Sequence, residues 1–322
     1  MYRDHKVNVI VPAFNEELLI LETLEGMPDF VDGVIVIDDC SVDKTNEIVR
    51  DAASTDSRIR LLVHEDNLGL GQSLIDGYLA SLETDGDLTV VMAGDNQMDP
   101  VDLPNLLNTL IDGNHDYVKG NRLLHRDISA MPTYRYLGNS LLTLLTKFAT
   151  GYYALMDPQC GYTVIRNSAL AKIPIENMTK GYGYNADILT MLYIQQFSVA
   201  DCEVRPVYGR EQSKIKVRRY IPMIIWLLTR LFLRRLWSRY VILDFHPLVL
   251  FYSFGISLFA FVSIPLSVRF VYVYAQTGEL PKTTAILCVV SLMTAIQSTL
   301  FAMWMDMEYG FRRRAFHGSG NY

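Results

Sequence analysis

The chain has 322 residues, half of them hydrophobic, with 29 Lys/Arg, 35 Asp/Glu and a formal net charge of −6. That length holds one large domain plus an appendage, and the apolar share is high for a soluble domain but low for a many-span transporter. Cys40, Cys160, Cys202 and Cys288 are scattered with no CxxC spacing, which speaks against a zinc site and a disulfide framework.

No secretory signal precedes Val7, where the first apolar run is only of strand length. Runs of that kind occupy residues 7–11, 34–37, 59–63 and 88–92. Candidate helices lie between and after them, near 16–25, 43–53, 72–83 and 103–111. This alternation predicts an α/β fold, a mostly parallel sheet with helices on both faces. Ligands of such sheets bind beyond the carboxyl ends of the strands. There the chain reads PAFNE (12–16), DDCSVD (38–43), HEDNLGLG (64–71) and AGDNQMDP (93–100). One acidic turn is ordinary helix capping, with Ser41 or Asp43 as the cap of the second helix. Several converging on one sheet edge predict a site. No GxGxxG follows the first strand and no Walker A motif occurs, which argues against a dinucleotide oxidoreductase and a P-loop nucleotidase. There is no internal repeat and no low-complexity tract.

Residues 221–237 mix large apolar side chains with Arg, the composition of helices lying in a membrane interface; a domain helix packed on the sheet is the other reading. Residues 246–268 and 283–305 then run without Asp, Glu, Lys or Arg. Roughly 20 apolar residues cross a bilayer core as a helix. Both stretches reach that length, and buried core helices seldom stay uncharged so long. The link 276–282 is short and holds Gly278 and Pro281, so the two spans form a hairpin. Arg269, late in the first span, is placed to snorkel to the far interface.

Charge is divided unevenly. Residues 1–204 carry 14 Lys/Arg against 30 Asp/Glu, and residues 205–322 carry 15 against 5. Ten of those basic residues lie from Arg205 to Arg239, and Arg312, Arg313 and Arg314 follow the second span. Basic flanks stay cytoplasmic. The expected arrangement is therefore a multi-pass membrane protein of two spans with both termini and the N-terminal region in the cytosol. The basic cluster meets anionic lipid there. Spans next door disfavour the competing reading, a nucleic-acid patch.

The segments VIVPAFNE (9–16), VIDDCSVD (36–43) and GDNQMDP (94–100), in this order, resemble family 2 glycosyltransferases of the GT-A fold. Within that family the resemblance is closest to dolichyl- or polyprenyl-phosphate mannosyl- and glucosyltransferases, and it runs through roughly residues 7–215. The resemblance implies a catalytic domain over 1–214, to which the hydropathy and charge pattern adds a cytosolic placement, interfacial helices over 215–244 and a hairpin over 245–308, with spans at about 246–274 and 283–305. A cytosolic tail, 309–322, completes the chain. It also implies that Pro12, Phe14, Glu16, Ile37 and Asp39 line the base and ribose pocket, Asp39 accepting a hydrogen bond from the base. Asp95 and Gln97 match the metal positions, next to Ala93 and Gly94. A nucleoside diphosphate carries dense charge, which Mg2+ or Mn2+ held by oxygen ligands neutralises. The family's Asp-x-Asp is here Ala93-Gly-Asp, which leaves Asp95 as the retained ligand and implies more water or phosphate oxygen around the ion. Asp99 fits a helix cap better than a metal ligand.

Further along, KGNR (119–122) and Tyr134-Arg135 resemble the segments whose arginines hold the acceptor phosphate. This implies Arg122 and Arg135 in that role, with Asn139 one turn on; guanidinium forks suit phosphate. DPQCGY (157–162) matches the family's Asp-x-x-Ser-Gly-Phe, with Cys160 in the Ser place. Asp157 is then a general base or the carboxylate that orients an arginine. REQSK (210–214) matches an Arg-x-x-Ser-Lys loop, so that Arg210 and Lys214 close over the diphosphate. The implied reaction is metal-dependent, inverting transfer of a hexose from a UDP- or GDP-sugar to polyprenyl or dolichyl phosphate, for glycan or glycoprotein assembly. Two other readings stand beside it: transfer to a hydroxyl of another lipid or surface glycan, and a non-catalytic sugar-nucleotide-binding scaffold, which Ala93 invites.

Overall fold

The computed structural model describes residues 1–123, 133–205 and 217–318, and the side chains of 1–123, 140–205 and 221–310. The four aliphatic runs become β1 (Val7–Ala13), β2 (Gly33–Asp38), β3 (Ile59–Val63) and β4 (Leu88–Val91). They alternate with α1 (Ile20–Glu25), α2 (Thr45–Thr55) and α3 (Leu70–Leu82), and α4 (Leu103–Asp112) follows. Then come β5 (Tyr117–Asn121), α5 (Thr133–Thr150), β6 (Thr163–Arg166), α6 (Asn167–Leu170), α7 (Tyr184–Ile194) and β7 (Val199–Glu203). The first helix is shorter than its amphipathic run, because Asn15 takes a positive φ of 58° and the Glu16 amide is drawn off to Thr45 Oγ1 at 2.8 Å.

The seven strands form one sheet in the order β3-β2-β1-β4-β6-β5-β7. β1 runs parallel to β2 and β4, β2 to β3, and β5 to β7. β6 lies antiparallel between β4 and β5. Every residue of β1 is buried, which is why that strand reads as an unbroken aliphatic run. Side chains alternate between faces. Val7, Val9 and Val11 share a core cluster with Ile20 and Leu24 of α1, Val49 of α2 and Leu103, Leu106, Leu107 and Leu110 of α4. Ile10 points to the other face, against α3. There Gly77 is required by close approach, since a Cβ on it would sit 2.4 Å from Ile10 Cγ2 and 2.8 Å from Ile37 Cδ1.

Residues Met1–Phe232 and Leu233–Tyr322 form two compact units. In the first, α8 (Val217–Trp237) packs Ile224, Leu227, Leu228 and Leu231, spaced about a helical turn apart, against Ala149 of α5 and Ala186 of α7. Its opposite side leaves Ile221, Met223, Ile225 and Trp226 exposed, Trp226 by 72%.

The second unit is built on α9 (Leu248–Leu258), α10 (Ile264–Thr277) and α11 (Lys282–Gly318). A π-helical stretch, Phe259–Ser263, joins α9 to α10. Leu248–Thr277 and Lys282–Gly310 are each long and apolar enough to cross a membrane. Gly278 ends α10 in the left-handed conformation, φ 69°, its N–H capping Tyr274 O. Small residues line the α9–α11 seam. A Cβ on Gly255 would lie 2.6 Å from Thr299 Oγ1, and Ser298 Oγ donates to Phe251 O at 2.9 Å. In this unit the fully buried Arg235 guanidinium makes a fork with the fully buried Asp306, 2.8 Å at each arm, and Tyr240 Oη donates to Asp306 Oδ1 at 2.6 Å.

Candidate active site

Because β1 to β5 run parallel, the segments that follow them emerge at one edge of the sheet. β6 is antiparallel, so the segment before it, 157–162, comes to that same edge. β7 is parallel to β5, and the chain toward 206–216 leaves from that edge too. The topology thus brings the candidate residues after β1, β2, β4 and β5 and before β6 into one place.

The loops after β1 and β2 are stitched to each other. Asn15 N–H donates to Ser41 Oγ (2.9 Å), Val42 N–H donates to Asn15 Oδ1 (2.9 Å), and Glu17 N–H donates to Asp43 Oδ2 (3.2 Å). Asp43 also accepts from the Thr45 amide at 3.0 Å at the start of α2; burial pushes its carboxyl up, but the hydrogen bonds from Thr45 and Glu17 together outweigh that and hold it below the usual range. Asp38 is turned inward, accepting from Ser41 N–H and Asn46 Nδ2. Asp39 is buried as well. It accepts from His64 Nδ1, Leu68 N–H and Gly69 N–H, each at 2.8 Å. Phe14 is 37% exposed beside this pair of loops, whereas Ile37 is wholly buried with its Cδ1 near the Gly77 position.

After β4 the chain turns tightly. Gly94 N–H donates to Pro12 O (3.1 Å), and a Cβ on Gly94 would meet Ile20 Cδ1 at 2.9 Å. Asp95 Oδ1 accepts from Gln97 N–H at 3.2 Å, and Ala93 N–H faces Met98 Sδ at 3.3 Å. Asp99 caps the short 3-10 turn Pro100–Asp102 through Val101 N–H (2.9 Å). No group of three or more His, Cys, Asp or Glu placed to hold a metal ion occurs among the described residues. Asp95 and Gln97 bring one carboxylate and one carboxamide to the turn. That donor set fits a hard divalent ion that takes its other ligands from diphosphate and water.

On the β5 side, Arg122 makes a two-armed fork with Asp157, Nε to Oδ2 at 2.8 Å and Nη2 to Oδ1 at 3.2 Å. The Arg122 side chain is 38% exposed and that of Asp157 only 5%. Tyr162 ties this segment to the turn after β4, its Oη donating to Asp99 O at 3.2 Å. Beneath lies a fully buried ammonium, Lys119, which donates to Cys160 O and to Asn185 Oδ1 (2.7 Å). Burial pushes the Lys119 ammonium down to about 8, and it pushes the Cys160 thiol up. Arg135 and Asn139 fall on α5, but their side chains lie outside the described ones; Arg210 and Lys214 lie outside the described residues altogether.

Two residues at the site had no role in the sequence reading. His64 sits in the turn after β3, with Nδ1 on Asp39 and Nε2 3.0 Å from Asp76 Oδ2. Lys119 sits within a strand. A histidine heading an acidic turn at a strand end was a usable signal for the first. A lone lysine in an otherwise buried strand was one for the second.

Residues 8–173 match the family model described as glycosyl transferase family 2. The chain is 25% identical to a UDP-N-acetylglucosamine–dolichyl-phosphate N-acetylglucosaminyltransferase of Methanococcus voltae, over 64% of this chain and 87% of that one. It is 30% identical to an undecaprenyl-phosphate mannosyltransferase of Micrococcus luteus, over 57% and 76%. Among solved structures it is similar in fold to the glucosyl-3-phosphoglycerate synthase of Mycobacterium tuberculosis in complex with Mn2+, UDP-glucose and phosphoglyceric acid. There the TM-score is 0.52 at 20% identity, covering 72% of this chain and 80% of that one.

Proposed function

The chain belongs to glycosyl transferase family 2, and we propose that it is a membrane-anchored inverting enzyme that moves a hexose from a UDP- or GDP-sugar to a polyprenyl or dolichyl phosphate. The observation that carries this reading is Arg122, a partly exposed guanidinium aligned by a buried carboxylate at the sheet edge that also bears Asp39 and Asp95. A guanidinium fork suits a phosphate acceptor. Two relatives whose names specify lipid-phosphate acceptors support the same acceptor class.

In this reading Pro12, Phe14, Glu16 and Asp39 hold the nucleoside, with Ile37 contributing through its backbone. Ala93 and Gly94 let the chain pass close to the sugar nucleotide. Asp95 and Gln97 would hold Mg2+ or Mn2+, which supplies charge neutralisation at the diphosphate. Arg122, Arg135 and Asn139 hold the acceptor phosphate, and Arg210 and Lys214 close over the donor diphosphate. A phosphate oxygen attacks the sugar C1 as the bond from C1 to the donor phosphate breaks, and the electron pair leaves with the nucleoside diphosphate. The attacking oxygen is already anionic, so no strong base is needed. Asp157, engaged by Arg122, then acts as the orienting carboxylate.

The proposed layout is a catalytic domain over 1–214, interfacial helices over 215–244, a hairpin over 245–308 and a tail over 309–322, with the catalytic domain and both termini in the cytosol. The exposed Ile221, Met223, Ile225 and Trp226 support a helix that rests on lipid, and the basic flanks support the orientation. The test is the full chain in vesicles containing polyprenyl phosphate, given Mg2+ and one radiolabelled UDP- or GDP-hexose at a time. Label passing to the organic phase with one donor is the expected result. Nucleotide binding without transfer from any donor would favour the scaffold reading instead.

A further inference from the structure

The donor pocket leaves one side chain unused, His64. Its ring is held at both nitrogens, Nδ1 2.8 Å from Asp39 Oδ1 and Nε2 3.0 Å from Asp76 Oδ2, and its side chain is only 10% exposed. Ionised carboxylates accept but do not donate. Facing Asp39, ring nitrogen Nδ1 is therefore the donor. Gln72 Nε2 holds the far end, donating to both Asp76 oxygens at 3.0 and 3.1 Å. The near end is fixed by the turn into α3. Leu68 N–H donates to Asp39 Oδ1 and Gly69 N–H to Asp39 Oδ2, with Gly69 in a positive-φ conformation (88°) that aims its amide there.

A carboxylate oxygen accepts about two hydrogen bonds. Oδ1 has both, from His64 and Leu68; Oδ2 has one, from Gly69, among the described residues. One acceptor position is left. Guanine presents two adjacent donors, a ring N–H and an amino group, a pair that matches two carboxylate oxygens. Uracil presents a single ring N–H between two carbonyls.

We propose that His64 is a specificity-determining residue: by filling one oxygen of Asp39 it leaves a single acceptor position, which selects a uridine donor over a guanosine donor. This rests on the reading of Asp39 as the group that meets the base. Asp39 is 4% exposed, so a second donor arriving there would stay unpaired in a dry site. Sites that strand a buried polar group in that way discriminate strongly. His64 works through Asp39 and does not itself meet the base.

The test is calorimetric titration of the full chain in detergent micelles with UDP and with GDP, each in Mg2+. The wild type should bind UDP at least about tenfold more tightly than GDP, the worth of one hydrogen bond to a charged group. His64→Leu, which reopens Oδ1, should bring the two within about threefold, chiefly by gained GDP affinity. His64→Gln, whose amide can refill Oδ1, should restore the preference. Equal binding, or preference for GDP, in the wild type overturns the proposal without recourse to any variant. A UDP preference unchanged in His64→Leu overturns the part assigned to His64. Failure of both nucleotides to bind overturns the donor reading itself, and the proposal with it.

Discussion

In the proposed function Asp157 aligns Arg122 for an acceptor phosphate through their two-armed fork. Asp157→Asn keeps the shape and removes the charge, so the guanidinium loses its alignment. The kcat/KM for polyprenyl phosphate should fall roughly 10- to 100-fold while UDP affinity holds, a split that steady-state kinetics and calorimetry together resolve. A parallel loss of nucleotide binding would mean that the fork supports the whole edge and not the acceptor side. Lys119 allows a test by pH. Burial lowers its ammonium to about 8, whereas the unfolded chain titrates it near the ordinary lysine value of about 10.4. Between those values the unfolded chain binds the extra proton, so this contribution to stability rises with pH. The melting temperature of the wild type minus that of Lys119→Met should therefore climb from about pH 8 to about pH 10. A flat difference would show that burial does not lower the Lys119 ammonium, which then stays charged in the fold across this range. At this scale the sequence told residue types better than roles. Asp157 reads as base or orienter, and its fork with Arg122, 35 positions away, is visible in neither segment alone. Nothing local announces that His64 meets a carboxylate 25 positions back.

Elements were read best where burial is two-sided. β1, β2 and β4 stand out because they are buried almost throughout and leave no polar alternation to confuse the run, whereas β3, at the sheet edge, is only partly buried and keeps an exposed Arg60. β5, β6 and β7 carry Lys119 and Asn121, Thr163 and Arg166, Asp201 and Glu203, so their short runs lack that signal. The reversal of β6 is set by its neighbours, and no residue within it declares a direction. α8 packs an apolar stripe on α5 and α7, not on the sheet, and leaves further large apolar side chains exposed. Leu231→Ala removes a side chain that is 2% exposed and should cost about 2–5 kcal/mol, seen as a lower melting temperature. Trp226→Ala should leave melting unchanged and weaken binding to anionic vesicles. Were Trp226→Ala the more destabilising of the two, the assignment of the two faces would be reversed.

For the whole molecule, the division of charge is the feature the sequence displayed most openly, acidic before residue 205 and basic after it. The second unit carries its own polar lock. Arg235→Met strands the fully buried Asp306 carboxylate and should destabilise by about 3–5 kcal/mol, while Arg235→Met with Asp306→Leu should recover most of the loss. Thermal unfolding in detergent, followed by tryptophan fluorescence, reads both. The central claim is that this edge of carboxylates and arginines transfers sugar to a lipid phosphate. It is tested most directly by offering the full chain polyprenyl phosphate and the matching polyprenol side by side, with the active donor and Mg2+, and weighing the products by mass spectrometry. The expected result is a polyprenyl-phosphate hexose from the first and no product from the second. Glycosylated polyprenol, with the phosphate left untouched, would contradict it.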